Sequence, residues 1–251
     1  MANSTANLTG KLRDQTRKAK KLSILVRNKR WRAAVKQGVA ATVEHQDVGW
    51  DAEFATVLDV GGHHGQFTLF ALERFPKAQI ITFEPQAEGV AKIRTAVDGE
   101  TRVRILNYAL SDSTGEAELH ISKRSDSSSL LPIGEGQTTA YPGTEEASVE
   151  VISLETLDNL MTEPPAGPVL LKIDVQGAEL SVLRGAEKTL GSVDSIFVEM
   201  SFVELYEGQA LANEVIEFLA ERNFRIAGVF GPAYDADGRC LQVDALFKRN
   251  A

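Results

Sequence analysis

Two stretches of the chain hold side chains whose types and spacing can do chemistry. Residues 57–70 read VLDVGGHHGQFTLF: an apolar run carrying Asp59 meets Gly61, Gly62, His63, His64 and Gly65, then an amphipathic segment. Residues 168–175 read PVLLKIDV, a second apolar run that ends near Asp174. A turn of the first kind is where an α/β protein usually holds a nucleotide, because ligands sit at the carboxyl ends of the strands. Four chemistries compete for it. A phosphate loop needs Gly-x4-Gly-Lys-Ser/Thr, and no Lys follows Gly65. A dinucleotide fingerprint needs G-x-G-x-x-G, and no Gly stands at 63. Zinc needs histidines spaced along one helix face and a third ligand. Adjacent His63 and His64 are expected to point apart, and the one cysteine, Cys240, makes no cluster, so no metal is expected.

The pattern that fits is D-x-G-x-x-x-G, with Glu84 nineteen residues beyond Gly65 in ITFEP. Glycines let a backbone pass close against a ligand. An acid ending the second strand accepts bonds from both ribose hydroxyls, so the pair describes an adenosine site. A carboxylate at Asp59 suits an ammonium better than a pyrophosphate. S-adenosylmethionine, an adenosine with an ammonium and a sulfonium, therefore fits better than NAD.

Methyl transfer to a hydroxyl is helped by a base, and acids at strand ends are the candidates. Asp174 comes first, and Glu199 in FVEMS follows; their structural readings are a helix cap or Lys172 partner and a surface carboxylate. His64 and His45 are candidate bases by residue type, but such histidines are more often structural. Glu179 reads as first-turn helix charge, and His120 as a packing residue. Ser127 to Ser129 can donate to a polyol or to a cofactor carboxylate.

Strands and helices in alternation must position these groups. Strands are expected at 56–60, 79–84, 102–110, 115–122, 148–154, 168–175 and 194–201, then an antiparallel pair at 224–230 and 239–249. Helices are expected at 65–75, 86–97, 178–190 and 212–223, with a short one after 154. Residues 122–147 read as a long loop over the acceptor. The fold class is α/β, a mostly parallel sheet with helices on both faces. The 251 residues are 43% hydrophobic, enough for one sizeable core.

Charge divides the chain. Residues 1–50 hold eleven Lys/Arg against three Asp/Glu, and the rest sixteen against thirty-two. Residues 1–50 are thus expected to be a basic arm, helical over 11–42, and 51–251 the cofactor-binding domain. The arm suits an anionic membrane surface, a partner chain, or packing on the protein's own acidic body. An acidic body repels phosphate, so no nucleic-acid partner is expected. The polar amino end, the lone cysteine and the lack of a long apolar run point to the cytoplasm.

In order, the segments VLDVGGHHGQFTLFA, ITFEP, NYALSD, SSSLLP, VEVISLETLD and LLKIDVQGAELSVLRGA resemble the FkbM family of S-adenosylmethionine-dependent methyltransferases. The resemblance spans about residues 56–200 and leaves out the basic arm. It implies a class I, Rossmann-like fold with seven strands in the order 3-2-1-4-5-7-6. It implies Asp59, Gly61 and Gly65 at the methionine end of the cofactor, with Gly62 and His63 in the same turn. Glu84 would take the ribose, flanked by Phe83 and Pro85. Asn107 and Ala109 would border the adenine, and Asp174 would face the reactive centre. Two positions depart from the family pattern: His63 stands where Asn is usual, and Gln176 where KIDVEG is commoner. The implied activity is O-methyl transfer to a hydroxyl of a small molecule or glycan. The rival readings are a scaffold that keeps the pocket without turnover, and an NAD-dependent oxidoreductase.

Overall fold

The computed structural model describes residues 21–50 and 52–250. Its centre is two fully buried apolar strands, β1 (Thr56–Val60) and, later in the chain, β7 (Val169–Ile173). Strands buried on both faces need helices on both faces, which parallel crossovers supply. From β1 the chain runs through α2 (Gln66–Arg74), β2 (Gln79–Phe83), α3 (Ala87–Ala96) and β3 (Val103–Leu106). A short β4 (Ala109–Leu110), β5 (Gly115–Ser122), α4 (Glu135–Ala140), β6 (Glu146–Glu155) and α5 (Leu157–Leu160) lead to β7. Then come α6 (Glu179–Arg184), β8 (Ser195–Ser201), α7 (Ala212–Glu221), β9 (Phe224–Tyr234) and β10 (Cys240–Arg249). The main sheet has the order β3-β2-β1-β7-β8-β10-β9, with β10 antiparallel to both neighbours. Counting its strands along the chain, that is the expected 3-2-1-4-5-7-6. A second sheet, β4-β6-β5, lies apart from it.

Four expectations are corrected. Residues 102–110 are not one strand: β3 joins the main sheet, and β4 pairs with β6 in the other. The chain turns at Asn107, whose side-chain amide donates to the carbonyls of Glu84 and Pro85 at 2.9 and 2.7 Å. The 122–147 loop contains a 3-10 turn at Ser125–Ser127 and α4, which starts after Gly134 and buries Gln137. The 178–190 helix stops at Arg184, and a 3-10 turn follows at Thr189–Ser192.

The fourth correction concerns the arm. Residues 11–20 lie outside the described residues. Residues 21–25 are helical, and a separate helix, α1 (Lys29–Lys36), starts at Asn28, whose side chain accepts from the Trp31 N–H at 3.0 Å. No helix continues to 42; Gly38 has φ +83° and a 3-10 turn follows at Val43–Asp47. This part of the chain is no free extension. Trp31, Val39, Val43 and Trp50 share one buried cluster with Phe67, Phe70 and Phe75 of the body. Arg30 pairs with Glu73 and Glu100 at 3.4 and 3.0 Å, so the basic helix leans on the acidic body.

Candidate active site

Parallel pairing brings the ends of β1, β2 and β7 together. Asp59 is in register with Thr82 on one side and Lys172 on the other, and Lys172 with Phe197. A strand repeats its facing every two residues. The next positions on that face, at the strand ends, are therefore Gly61, Glu84, Asp174 and Glu199. Glu199 is in turn paired with Asp244 across β8 and β10.

The glycine turn has room for no side chain. A Cβ on Gly61 would lie 1.8 Å from the Asp174 carbonyl oxygen, and one on Gly62 would lie 2.3 Å from Cγ2 of Thr82. Both N–H groups donate to the Phe83 carbonyl, at 3.1 and 2.9 Å. The turn is thus laced to β2 and pressed against the end of β7. Glu84 is held there by backbone: the His63 N–H donates to Oε2 at 2.7 Å and the Gln86 N–H to Oε1 at 2.8 Å. Burial raises its pKa to about 7, against the pull of those two bonds. The His63 ring accepts from Gln66 at Nδ1 (2.9 Å), so Nε2 carries the hydrogen and donates to Ser125 Oγ at 2.9 Å. Burial lowers its pKa to about 4, so the ring is neutral at pH 7.

Lys172 joins the turn to β7. Its ammonium lies 3.5 Å from Asp59 Oδ1 and 3.6 Å from Asp174 Oδ2, and donates to the Gly61 carbonyl at 3.3 Å. Burial works against the charge, but the two carboxylates outweigh it and hold the Lys172 pKa up. Burial likewise opposes ionisation of Asp174, and Lys172 and Gln176 overcome it, so the Asp174 pKa lies below the ordinary value. Gln176, at φ +56°, donates from Nε2 to Asp174 Oδ1 at 2.9 Å and to Glu199 Oε2 at 3.0 Å. Burial, with Asp174 and Asp244 nearby, raises the Glu199 pKa well above its ordinary value.

These groups surround a cleft of about 440 Å³, within the roughly 300–1,000 Å³ of small-molecule sites. Gly61, Gly62, His63, Glu84, Ala109 and Asp174 line it, as do Phe83 and Pro85. Other predicted residues do not. Asp59 is fully buried below the turn, bonded by Thr68 Oγ1 at 2.7 Å, and serves as the counter-ion of Lys172. Gly65 starts α2 behind the turn, and the Asn107 amide is spent on backbone carbonyls. His63 and His64 do not point apart: their rings stack at 3.7 Å, and His64 Nε2 turns to Lys92 at 3.2 Å, away from the cleft. Glu199 lies outside the lining, bonded to Gln176 and Gln242. Glu179 does stand in the first turn of α6, but it is buried and accepts from the Val175 and Gly177 N–H groups, fixing the turn after β7. His120 pairs with Glu146 at 2.6 Å and does not line the cleft.

The 122–134 segment straps the cleft. Ser125 meets His63, Ser129 Oγ donates to the Gln176 carbonyl at 2.6 Å, and the Gly134 N–H donates to the Leu205 carbonyl at 3.0 Å. The opposite wall includes Thr42, Glu44 and His45, which sequence reasoning placed in a helical arm or weighed only as a lone histidine. His45 is held edge-on by Phe67, Phe70 and Phe197, with Nε2 3.7 Å from Asp244.

The profile of the FkbM methyltransferase domain matches residues 59–226. The chain belongs to the FkbM methyltransferase family. The 2-O-methyltransferase NoeI of Sinorhizobium fredii is 28% identical over 188 residues, covering 72% of this chain and 76% of that protein. The methyltransferase sdnD of Sordaria araneosa is 26% identical over 197 residues, covering 68% and 73%. Among solved structures, M. capricolum TrmK in complex with S-adenosyl-homocysteine aligns with a TM-score of 0.44 at 7% identity, covering 78% of this chain and 62% of that one.

This FkbM protein is an S-adenosylmethionine-dependent methyltransferase with a seven-stranded α/β fold. Its residues suit that cofactor: two adjacent glycines with no room for side chains, a carboxylate at the end of β2, and the small Ala109 after β3. Tyr108, which also lines the cleft, was missed, although it stands inside the NYALSD segment that flagged its neighbours. The Thr42–His45 wall lies upstream of the matched domain, and its only signal was the histidine itself.

Proposed function

We propose that this methyltransferase alkylates a hydroxyl oxygen of a sugar, in a glycan or a natural product, by direct displacement. The observation that carries the proposal is the ionised Asp174 carboxylate on the cleft wall, at the end of β7 where its backbone packs against Gly61, and in the same cleft as Glu84. In this reading Gly61, Gly62 and His63 bracket the methionine end of the cofactor, Glu84 accepts from the ribose hydroxyls, and Tyr108 and Ala109 bracket the adenine. The bound cofactor supplies a methyl group already activated on a sulfonium. The chain then has to aim an oxygen at that carbon and remove a proton. Asp174 accepts the hydrogen bond of the acceptor O–H. With the cofactor in place, the acceptor oxygen would take the methyl group, the C–S electron pair staying on sulfur, and Asp174 would take the proton and pass it to water.

A sugar suits the far wall, where Thr42, Glu44 and His45 offer polar contacts beside the aromatic face of Phe67. The name of the Sinorhizobium relative, a 2-O-methyltransferase, supports oxygen as the target. A cytoplasmic setting, with the basic residues near the amino end available to a membrane surface that carries the acceptor, belongs to the same proposal. Among the described residues no helix is long and apolar enough to cross a membrane.

Calorimetry with S-adenosylhomocysteine and with NAD comes first. Binding of the former alone is expected, and binding of NAD alone overturns the reading. Incubation with tritiated S-adenosylmethionine and a panel of glycosides and cell-derived glycans comes next. Base-stable label on carbohydrate is the expected ether, whereas base-labile or nitrogen-linked label sinks the oxygen assignment.

A further inference from the structure

Gln176 occupies an unusual place between two carboxylates. Its carboxamide can be oriented without ambiguity. Nε2 faces Asp174 Oδ1 and Glu199 Oε2, at 2.9 and 3.0 Å, so both of its hydrogens are donated to acids. Oε1 faces the hydroxyl of Tyr206 at 2.9 Å and accepts from it, while the same hydroxyl also lies 3.1 Å from the Ser127 carbonyl. Tyr206 is fully buried. The backbone of residue 176 is pinned as well. It sits at φ +56°, its carbonyl accepts from Ser129, and Glu179 holds the N–H groups on either side of it. From the other side Gln242 donates to the same Glu199 oxygen at 3.0 Å and accepts from Tyr141 at 2.9 Å.

Such an arrangement does two things. A neutral –NH2 shared by two acids lets them approach with less mutual repulsion, since each finds a donor rather than a bare charge. It also removes torsional freedom from Asp174: Oδ1 is tied to Gln176 and Oδ2 faces Lys172. A glutamate here would bring a third acid to the same place.

We propose that Gln176 is a positioning residue, which clamps the Asp174 carboxylate toward the sulfonium of the cofactor while keeping Glu199 packed behind it. The inference rests on the cofactor placement given above. Gln176 itself lines the cleft, and the role proposed for it acts through Asp174.

The test uses the charge that distinguishes the two forms of the cofactor. S-adenosylmethionine carries a positive sulfur, and S-adenosylhomocysteine does not. A correctly aimed, ionised Asp174 favours the first over the second, and a merely loosened fold weakens both alike. Calorimetric Kd values for both ligands are measured on the wild type, Asp174→Asn, Gln176→Leu and Tyr206→Phe. Asp174→Asn is expected to shift the affinity ratio toward the neutral ligand by about tenfold, the effect of removing one nearby, partly screened charge. Gln176→Leu should shift it the same way by a comparable factor. Tyr206→Phe deletes only one bond to the clamp, keeps the buried ring, and should shift the ratio roughly threefold; it carries the test if the leucine variant does not fold. An unchanged ratio in the Gln176 and Tyr206 variants, with a shifted ratio in Asp174→Asn, overturns the clamp and leaves the cofactor site standing. An unchanged ratio in all three overturns the aim of Asp174 and the clamp with it. A wild type that binds neither ligand overturns the cofactor placement itself.

Discussion

Glu84 shows how one side chain's surroundings set a property of the whole site. In the folded protein it keeps its proton up to about pH 7, because burial penalises the charge more than two backbone N–H groups reward it. Glu179 behaves in the same way, also to about 7. In the unfolded chain both ionise at the ordinary 4.5. Between those values the folded state binds more protons, so stability falls as pH rises from about 4.5 to 7 and levels off above. Urea denaturation at pH 5 and pH 8 should show the loss, on the order of 3 kcal/mol per group as an upper bound, and Glu84→Gln should remove its share. The ribose hydroxyls are best received by the ionised acid. Affinity for S-adenosylhomocysteine should therefore climb from pH 6 to pH 8 in the wild type and stay flat in Glu84→Gln. Asp174 is the opposite case, ionised throughout that range because Lys172 and Gln176 favour its charge. Asp174→Asn should cut turnover by about 10²–10⁴-fold, the usual value of a general base, with S-adenosylhomocysteine affinity changed only a few-fold.

Among the elements, the strap formed by residues 122–134 lines one side of the cleft with Ser125, Ser128, Ser129 and Leu130. Its ties to the glycine turn and to the turn after β7 are single side-chain hydrogen bonds, Ser125 to His63 and Ser129 to Gln176, while one antiparallel bridge between Ser129 and His120 of β5 and the Tyr206 hydroxyl at the Ser127 carbonyl hold it from behind. Such a segment opens at less cost than a strand of the core. Closing over a ligand is a common use of such loops. Hydrogen exchange of amides 123–131 should be faster than that of β1 and β7 in the free protein. Adding S-adenosylhomocysteine should slow it at least several-fold; equal exchange with and without ligand counts against a closing strap. The composition of residues 122–147, rich in Ser, Gly, Pro and Thr, made them legible as a loop but hid the 3-10 turn and α4, whose positions depend on what they bridge. The central strands were legible for the contrary reason. Each is a short apolar run, and burial on both faces leaves few other options. The same uniform burial concealed which way Asp59 points, because no alternation of polar and apolar residues marks one face as the ligand side.

Across the whole molecule, the amino-terminal segment completes the cleft and the core together. Trp31 is 5% exposed, and its indole N–H donates to the Leu69 carbonyl inside α2 at 3.0 Å. Trp31→Ala should cost about 3–5 kcal/mol in urea denaturation, the range for losing a large buried aromatic, and should weaken ligand binding by loosening the Thr42–His45 wall. A loss below about 1 kcal/mol would mean the segment is a dispensable arm after all. Its basic charge allowed a membrane surface, a partner chain or packing on the protein's own acidic body, and Arg30 takes the last, pairing with Glu73 and Glu100.

The sequence by itself determined the succession of strands and helices, the order of the main sheet through its family resemblance, and the two acids at strand ends that face the cleft, Glu84 and Asp174. The elements and the two acids follow from local patterning, which hydrophobic periodicity and turn glycines write directly into neighbouring residues, and the sheet order from the resemblance alone. Only the tertiary structure decided that Asp59 is a buried counter-ion, that the two histidines stack, that residues 38–45 wall the cleft, and that Gln176 joins Asp174 to Glu199. Each of those depends on groups distant along the chain meeting in space, and which partners meet is settled by how the layers pack.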